Sequence, residues 1–111
     1  MSKKDIGNAW EELVTQQYIQ DGYMILGRNI NYRNGELDII ASKDGVTAFV
    51  EVKTVNYIEE IHDFITPSKM YALQRSIQIY IQEHPKVAEH RLDVVFVKYG
   101  KIIERFENVT L

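Results

Sequence analysis

The Asp44-Gly45 step constrains this chain more than any other feature, because Asp-Gly between two apolar, β-branched runs is a strong signal for a two-residue hairpin loop. With these two residues as the loop, Lys43 opposes Val46, and counting outward puts Asp38 opposite Glu51 and Glu36 opposite Lys53. The turn therefore sets the register. Successive strand residues point to opposite faces, so Leu37, Ile39, Ala41, Ala48, Val50 and Val52 make one apolar face. The other carries Glu36, Asp38, Ile40, Phe49, Glu51 and Lys53, with its charges gathered at the end away from the turn.

Opposed residues of an antiparallel pair have Cβ atoms roughly 4.5 to 5.5 Å apart, and like charges so placed destabilise the pair. Asp38 and Glu51 therefore call for a compensating charge. A divalent cation suits them, since Mg²⁺ takes one or two carboxylates with waters and phosphate oxygens completing its shell. Lys53 follows Glu51 on the same face and puts a positive charge where a phosphate oxygen could lie. Two acids and a lysine in this pattern point to metal-assisted phosphodiester hydrolysis. The plainer reading is a charged solvent face with Glu36 and Lys53 as an ordinary cross-strand ion pair. Ile40 and Phe49 on that same face count against it.

The strings GELDII and FVEVKT on either side of this turn resemble the YraN-like family of small bacterial proteins, similar in turn to the PD-(D/E)xK nuclease superfamily. The resemblance extends to GNAWEELV, DGYMILGRN, SKMYALQRSIQIYI and RLDVVFV, and so covers almost the whole chain. It implies that Asp38 is the metal-binding aspartate, Glu51 the second acid and Lys53 the catalytic lysine. It also implies that Glu11 is a further acid of the site, similar to one used by archaeal Holliday junction resolvases, and that Lys69 is the lysine early in the second helix. One position departs from the pattern: relatives usually carry arginine after EVKT, and Val55 stands there.

With 111 residues, 45% of them hydrophobic, the chain reads as one domain over residues 1–111 with its own core. No stretch is apolar enough to cross a membrane and MSKKD lacks a signal peptide's apolar segment, so a cytoplasmic protein is expected. The absence of cysteine rules out disulfides and a thiolate zinc site. A formal net charge of −3 argues mildly against a nucleic-acid partner, because non-specific affinity for DNA comes mainly from Lys and Arg on phosphates. A nuclease must nonetheless concentrate acids around its metal. Lys3, Lys4, Arg28, Arg33, Lys53, Lys69 and Arg75 are the basic residues that could share one side.

Ser2 or Asp5 caps a first helix running to about Asp21, where Gly22 can close it. Its buried stripe is Ile6, Trp10, Leu13, Val14, Gln17 and Tyr18, with Trp10 read as core. Glu11 lies at the edge of that stripe and Glu12 points outward. On spacing alone Glu11 is a solvated helix glutamate; the resemblance makes it a site residue. Strands are expected at Tyr23–Asn31, Glu36–Ser42 and Val46–Thr54. Residues 55 to 65 fit neither period and read as a loop or short helix; His62 there is a candidate base, though a lone loop histidine is usually just solvated. Thr66 and Pro67 open a second helix that Pro85 ends near His84. Lys69 in its first turn is disfavoured by the helix dipole, a mismatch that an anionic substrate would relieve. Leu92–Lys98 reads as a buried strand and Lys101–Glu107 as an edge strand. Asp93 is read as structural, paired with Arg91 or a neighbouring strand.

The expected fold is α/β: a restriction-endonuclease-like αβββαβ core, its mixed sheet flanked by helices, with an added C-terminal edge strand. The expected function is a metal-dependent endonuclease acting on DNA, branched or structured DNA included. Asp38, Glu51, Glu11 and the Val52 carbonyl would hold Mg²⁺ or Mn²⁺, and Lys69, Arg28, Arg33 and Arg75 would contact nucleic acid. A two-fold substrate would favour a homodimer. No membrane partner and no nucleotide cofactor are expected. The alternative is a non-catalytic nucleic-acid-binding or scaffold module that keeps the nuclease fold.

Overall fold

Helix α1 spans Lys3–Gln20 because its ends are chemically marked. The Ser2 hydroxyl accepts the Asp5 N–H at 3.1 Å, and the Asp5 carboxylate accepts the Ser2 N–H at 3.4 Å, closing a capping box. At the other end the chain leaves through Asp21 and Gly22, the latter at φ +95°. This computed structural model describes residues 2–33, 35–55 and 66–109. Helix α2 spans Pro67–Glu83, with Thr66 as cap, Pro67 at its first position and His84 at its end.

Five strands form one sheet in the order β1-β2-β3-β4-β5: Met24–Tyr32, Gly35–Lys43, Val46–Thr54, Glu89–Lys98 and Lys101–Phe106. Asp44 and Gly45 both take positive φ, 53° and 81°, as a tight hairpin with the right-handed twist of its strands requires. The β2–β3 register is the one the turn implies, from Lys43↔Val46 to Ile39↔Val50. β3 and β4 run parallel, so the chain must cross over between them, and α2 lies on that crossover. The remaining pairs are antiparallel, and β5 is an edge strand. The mixed sheet and two helices in αβββαβ order are consistent with a restriction-endonuclease-like core.

Both faces of the sheet are covered. Trp10, Leu13, Val14 and Tyr18 of α1 pack on Ile39, Ala41, Ala48, Val50, Val95 and Val97. Met70, Ile77 and Tyr80 of α2 pack on Leu37, Ile40, Phe49, Leu92, Val94 and Phe96. Residues 92–97 of β4 are therefore buried without interruption, as a parallel strand between two layers should be.

Three details differ from the sequence reading. β4 starts at Glu89, because parallel pairing with β3 draws Glu89, His90 and Arg91 into the ladder opposite Val46, Thr47 and Ala48. β1 is shifted toward Tyr32 by its pairing with Gly35. Leu37 joins the α2-side core with Ile40 and not the α1-side core with Ile39, so strict alternation breaks at Asp38. The 55–65 segment, apart from Val55, and His62 within it lie outside the described residues. Among the described residues no helix is long and apolar enough to cross a membrane.

Candidate functional site

The break at Asp38 is where the site forms. The β2–β3 ladder ends at Ile39↔Val50, and carboxylates take over the next backbone donors. The Val52 N–H donates to Asp38 Oδ2 at 2.9 Å, and the Asp38 N–H donates to Glu51 Oε1 at 3.4 Å. Asp38 and Glu51 thus meet as the hairpin register implies, not as members of a continuing ladder but as acids inserted where it opens. The expected facing of Glu36 and Lys53 is replaced by pairing of Glu36 with Asn31 of β1. Val52 enters the site through its N–H, while its side chain packs toward α1.

On the other side of β2, Asn29 falls opposite Asp38, between the pairs Arg28↔Ile39 and Ile30↔Leu37, and takes φ +52°. Asparagine is among the few side chains that tolerate this region. Its carboxamide belongs nitrogen-inward, because its oxygen would otherwise face only acceptors. So oriented, the nitrogen lies 2.8 Å from Glu11 Oε1 and 2.8 Å from Glu36 Oε1. Carboxylate oxygens of Glu11, Glu36 and Asp38 all lie within 4.8 Å of one another. α1 therefore delivers Glu11 to the end of β2, beside Glu36 and Asp38.

Asp38, Glu36 and Lys53 line two grooves, one on each side of the sheet's end. The α2-side groove, about 360 Å³, adds Glu51 and Lys69 over an apolar floor of Met70 and Leu73. The α1-side groove, about 680 Å³, adds Glu11 and the polar Asn8, Asn29 and Asn31. Lys53 Nζ stands 3.9 Å from Glu51 Oε2.

Burial and neighbouring charge raise the pKa of Glu11, Glu51 and Asp38. Burial, then the charges of Asp38 and Glu36, push Glu11 up to about 7, with Arg28 pulling it back. Burial, then the charge of Asp38, push Glu51 up to about 8. Burial also raises Asp38, against the opposing pull of the Val52 N–H and Lys53. Burial thus leaves the neighbouring Asp38 and Glu51 carboxyls each harder to ionise than an exposed acid. An all-oxygen, anionic set that cannot ionise fully by itself fits a hard divalent cation.

The sequence-derived basic residues separate. Lys69, exposed in the first turn of α2, reaches the groove. Arg28 is drawn to Glu12, Nη1 to Oε2 2.6 Å, beside the acid cluster. Arg33 and Arg75 are exposed and outside the lining of both grooves; Arg75 lies about 120° around α2 from Lys69. Asp93 is structural, fully buried and bonded by Arg91 Nε at 3.0 Å, the Tyr18 hydroxyl at 2.8 Å and the Asn108 N–H at 3.1 Å.

Two members of the site escape a reading of the sequence alone: Asn29, and Glu36 in its role beside Glu11. The available signal was asparagine at positions 29 and 31 of a strand, since asparagine is depleted from strands and enriched at positive φ.

A profile of the uncharacterised protein family UPF0102 matches residues 10–97. The chain belongs to this family. It is 38% identical over 111 residues to a UPF0102 protein of Helicobacter hepaticus, covering 100% of this chain and 99% of that one. It is 39% identical over 104 residues to a UPF0102 protein of Wolinella succinogenes (93% and 94% covered). It is 38% identical over 105 residues to one of Corynebacterium diphtheriae (89% and 85% covered). The UPF0102 match spans Glu11, Asn29, Glu36, Asp38, Glu51, Lys53 and Lys69, so every residue of the site lies inside the family's own region.

Proposed function

We propose that this UPF0102 protein is a metal-dependent endonuclease of the PD-(D/E)xK type that hydrolyses DNA phosphodiester bonds. The observation that carries the reading is the meeting of Asp38, Glu51 and Lys53 where the β2–β3 ladder opens, with Glu11 brought in from α1. Asp38, Glu51, Glu11 and the Val52 carbonyl would hold Mg²⁺ or Mn²⁺. When bound, the ion supplies a water of lowered pKa and a positive charge against the phosphate. Lys53 stabilises negative charge as it develops on the phosphate, and Lys69 orients the strand in the α2-side groove. Branched or structured DNA is the substrate class on which a homodimer would act by symmetry.

The experiment is incubation of linear, flapped and four-way DNA with purified protein and Mn²⁺, using Glu51→Ala as control. Cleavage by wild type and not by Glu51→Ala is expected. Lys53→Ala should retain metal-induced stabilisation and lose roughly a hundred- to a thousandfold in cleavage rate, since an ammonium is no ligand but serves the transition state. A second reading, a nucleic-acid-binding or scaffold module without catalysis, is favoured by Val55. The position where the resembled proteins carry arginine is here 2% exposed and part of the α2-side core. A DNA panel left intact at high protein concentration would select that reading.

A further inference from the structure

We propose that Asn29 is a positioning residue that clamps Glu11 of α1 to Glu36 of β2 and so sets the spacing of the acid cluster. Its consequence for metal binding rests on the function proposed above; the clamp itself does not.

At φ +52° in the middle of β1, glycine would satisfy the backbone without strain. What asparagine adds is the carboxamide. One neutral nitrogen carrying two N–H groups can serve two acceptors at once, and here it has Glu11 Oε1 and Glu36 Oε1, each at 2.8 Å. Bonds to carboxylates are among the stronger hydrogen bonds. A lysine here would discharge the cluster and compete with a cation; an amide holds the acids together and leaves their charge in place. The nearest guanidinium, Arg28, is committed to Glu12 at 2.6 Å and does not take this role. Without Asn29, Glu11 would be a half-buried helix glutamate repelled by Glu36 and Asp38. The clamp adds a polar tie of α1 to β1 and β2 beside the Glu12–Arg28 ion pair, on top of the packing of Trp10, Leu13, Val14 and Tyr18.

The test compares wild type, Asn29→Gly, Asn29→Asp, Glu11→Ala and the Asn29→Gly/Glu11→Ala double variant. Melting temperatures are measured in chelator, and Mn²⁺ affinity by calorimetry. A purely backbone role predicts that Asn29→Gly leaves the melting temperature unchanged or raises it, because glycine relaxes positive φ. The clamp predicts the opposite sign: a fall of roughly 5 °C, a larger fall for Asn29→Asp, which adds a further carboxylate to the cluster, and less than half the glycine effect once Glu11 is absent. Mn²⁺ affinity should drop about tenfold in Asn29→Gly, as for other residues that orient a ligand. An unchanged or raised melting temperature for Asn29→Gly, or an equal fall in both backgrounds, overturns the clamp. Equal Mn²⁺ affinity of wild type and Asn29→Gly overturns its positioning role. A wild type that does not respond to Mn²⁺ overturns the metal-binding reading instead, and the chelator measurements still decide the clamp.

Discussion

Asp38 holds three relations at once: its Oδ2 accepts the Val52 N–H, its own N–H reaches Glu51 Oε1, and its charge raises the pKa of Glu51. Removing its charge while keeping its shape separates these. An amide at this position retains an oxygen for the Val52 N–H, so Asp38→Asn should leave the opened ladder intact and relieve repulsion among Asp38, Glu51, Glu36 and Glu11. In chelator the variant should therefore be more stable than wild type, by about 1 kcal/mol or some 4 °C in melting temperature. In Mg²⁺ it should gain nothing, because the shared carboxylate has gone. Melting both proteins in chelator and then in Mg²⁺ checks both parts. A variant that melts lower than wild type in chelator would contradict acids held against their own repulsion, and one that still gains from Mg²⁺ would remove Asp38 from the metal site.

At the scale of elements, what was legible in the sequence is what local chemistry decides. Asp44-Gly45 set the β2–β3 register, and Thr66, Pro67 and Pro85 bounded α2, because turns and caps are specified within a few residues. What was not legible depends on how elements meet. Glu89, His90 and Arg91 joined β4 only because β3 lies parallel beside them, and Leu37 changed faces only because the ladder opens at Asp38. Asn29 and Glu36 became site residues through a neighbouring strand and a helix distant in sequence. α2 carries a test of its own. Its first turn brings Lys69 to the groove against the sense of the helix dipole, as a phosphate contact would justify. Lys69→Ala should weaken DNA binding and reduce the slope of log affinity against log salt by about one unit, measured by fluorescence anisotropy at several salt concentrations. An unchanged slope would make Lys69 an ordinary surface lysine.

Across the whole molecule the acid cluster should govern how stability follows pH. Glu11, Glu51 and Asp38 all have folded pKa values raised by burial and repulsion, to about 7 for Glu11 and about 8 for Glu51. Between the ordinary carboxylate range near 4 and those values, the folded protein holds protons that the unfolded chain has released. Stability then falls as pH rises through this window, because the folded state binds the excess protons. Below it the sign reverses: Asp21, lowered by its hydrogen bond from Arg105, and Glu12, lowered by Gln16 and Arg28, contribute stability that is lost as they protonate. The metal-free protein should accordingly be most stable near pH 5 and melt at progressively lower temperature toward pH 8. Saturating Mg²⁺ should flatten or invert that decline, since the ion binds the deprotonated carboxylates and gains on protons as pH rises. The measurement is melting temperature from pH 4 to 8.5, in chelator and in Mg²⁺, for wild type and a Glu11→Gln/Glu51→Gln variant. The variant should lose most of the decline in chelator, because two of the raised groups are gone while Asp21 and Glu12 are untouched. A wild type whose melting temperature climbs steadily from pH 5 to 8 in chelator would mean that the cluster ionises freely, leaving no stored repulsion for a cation to relieve.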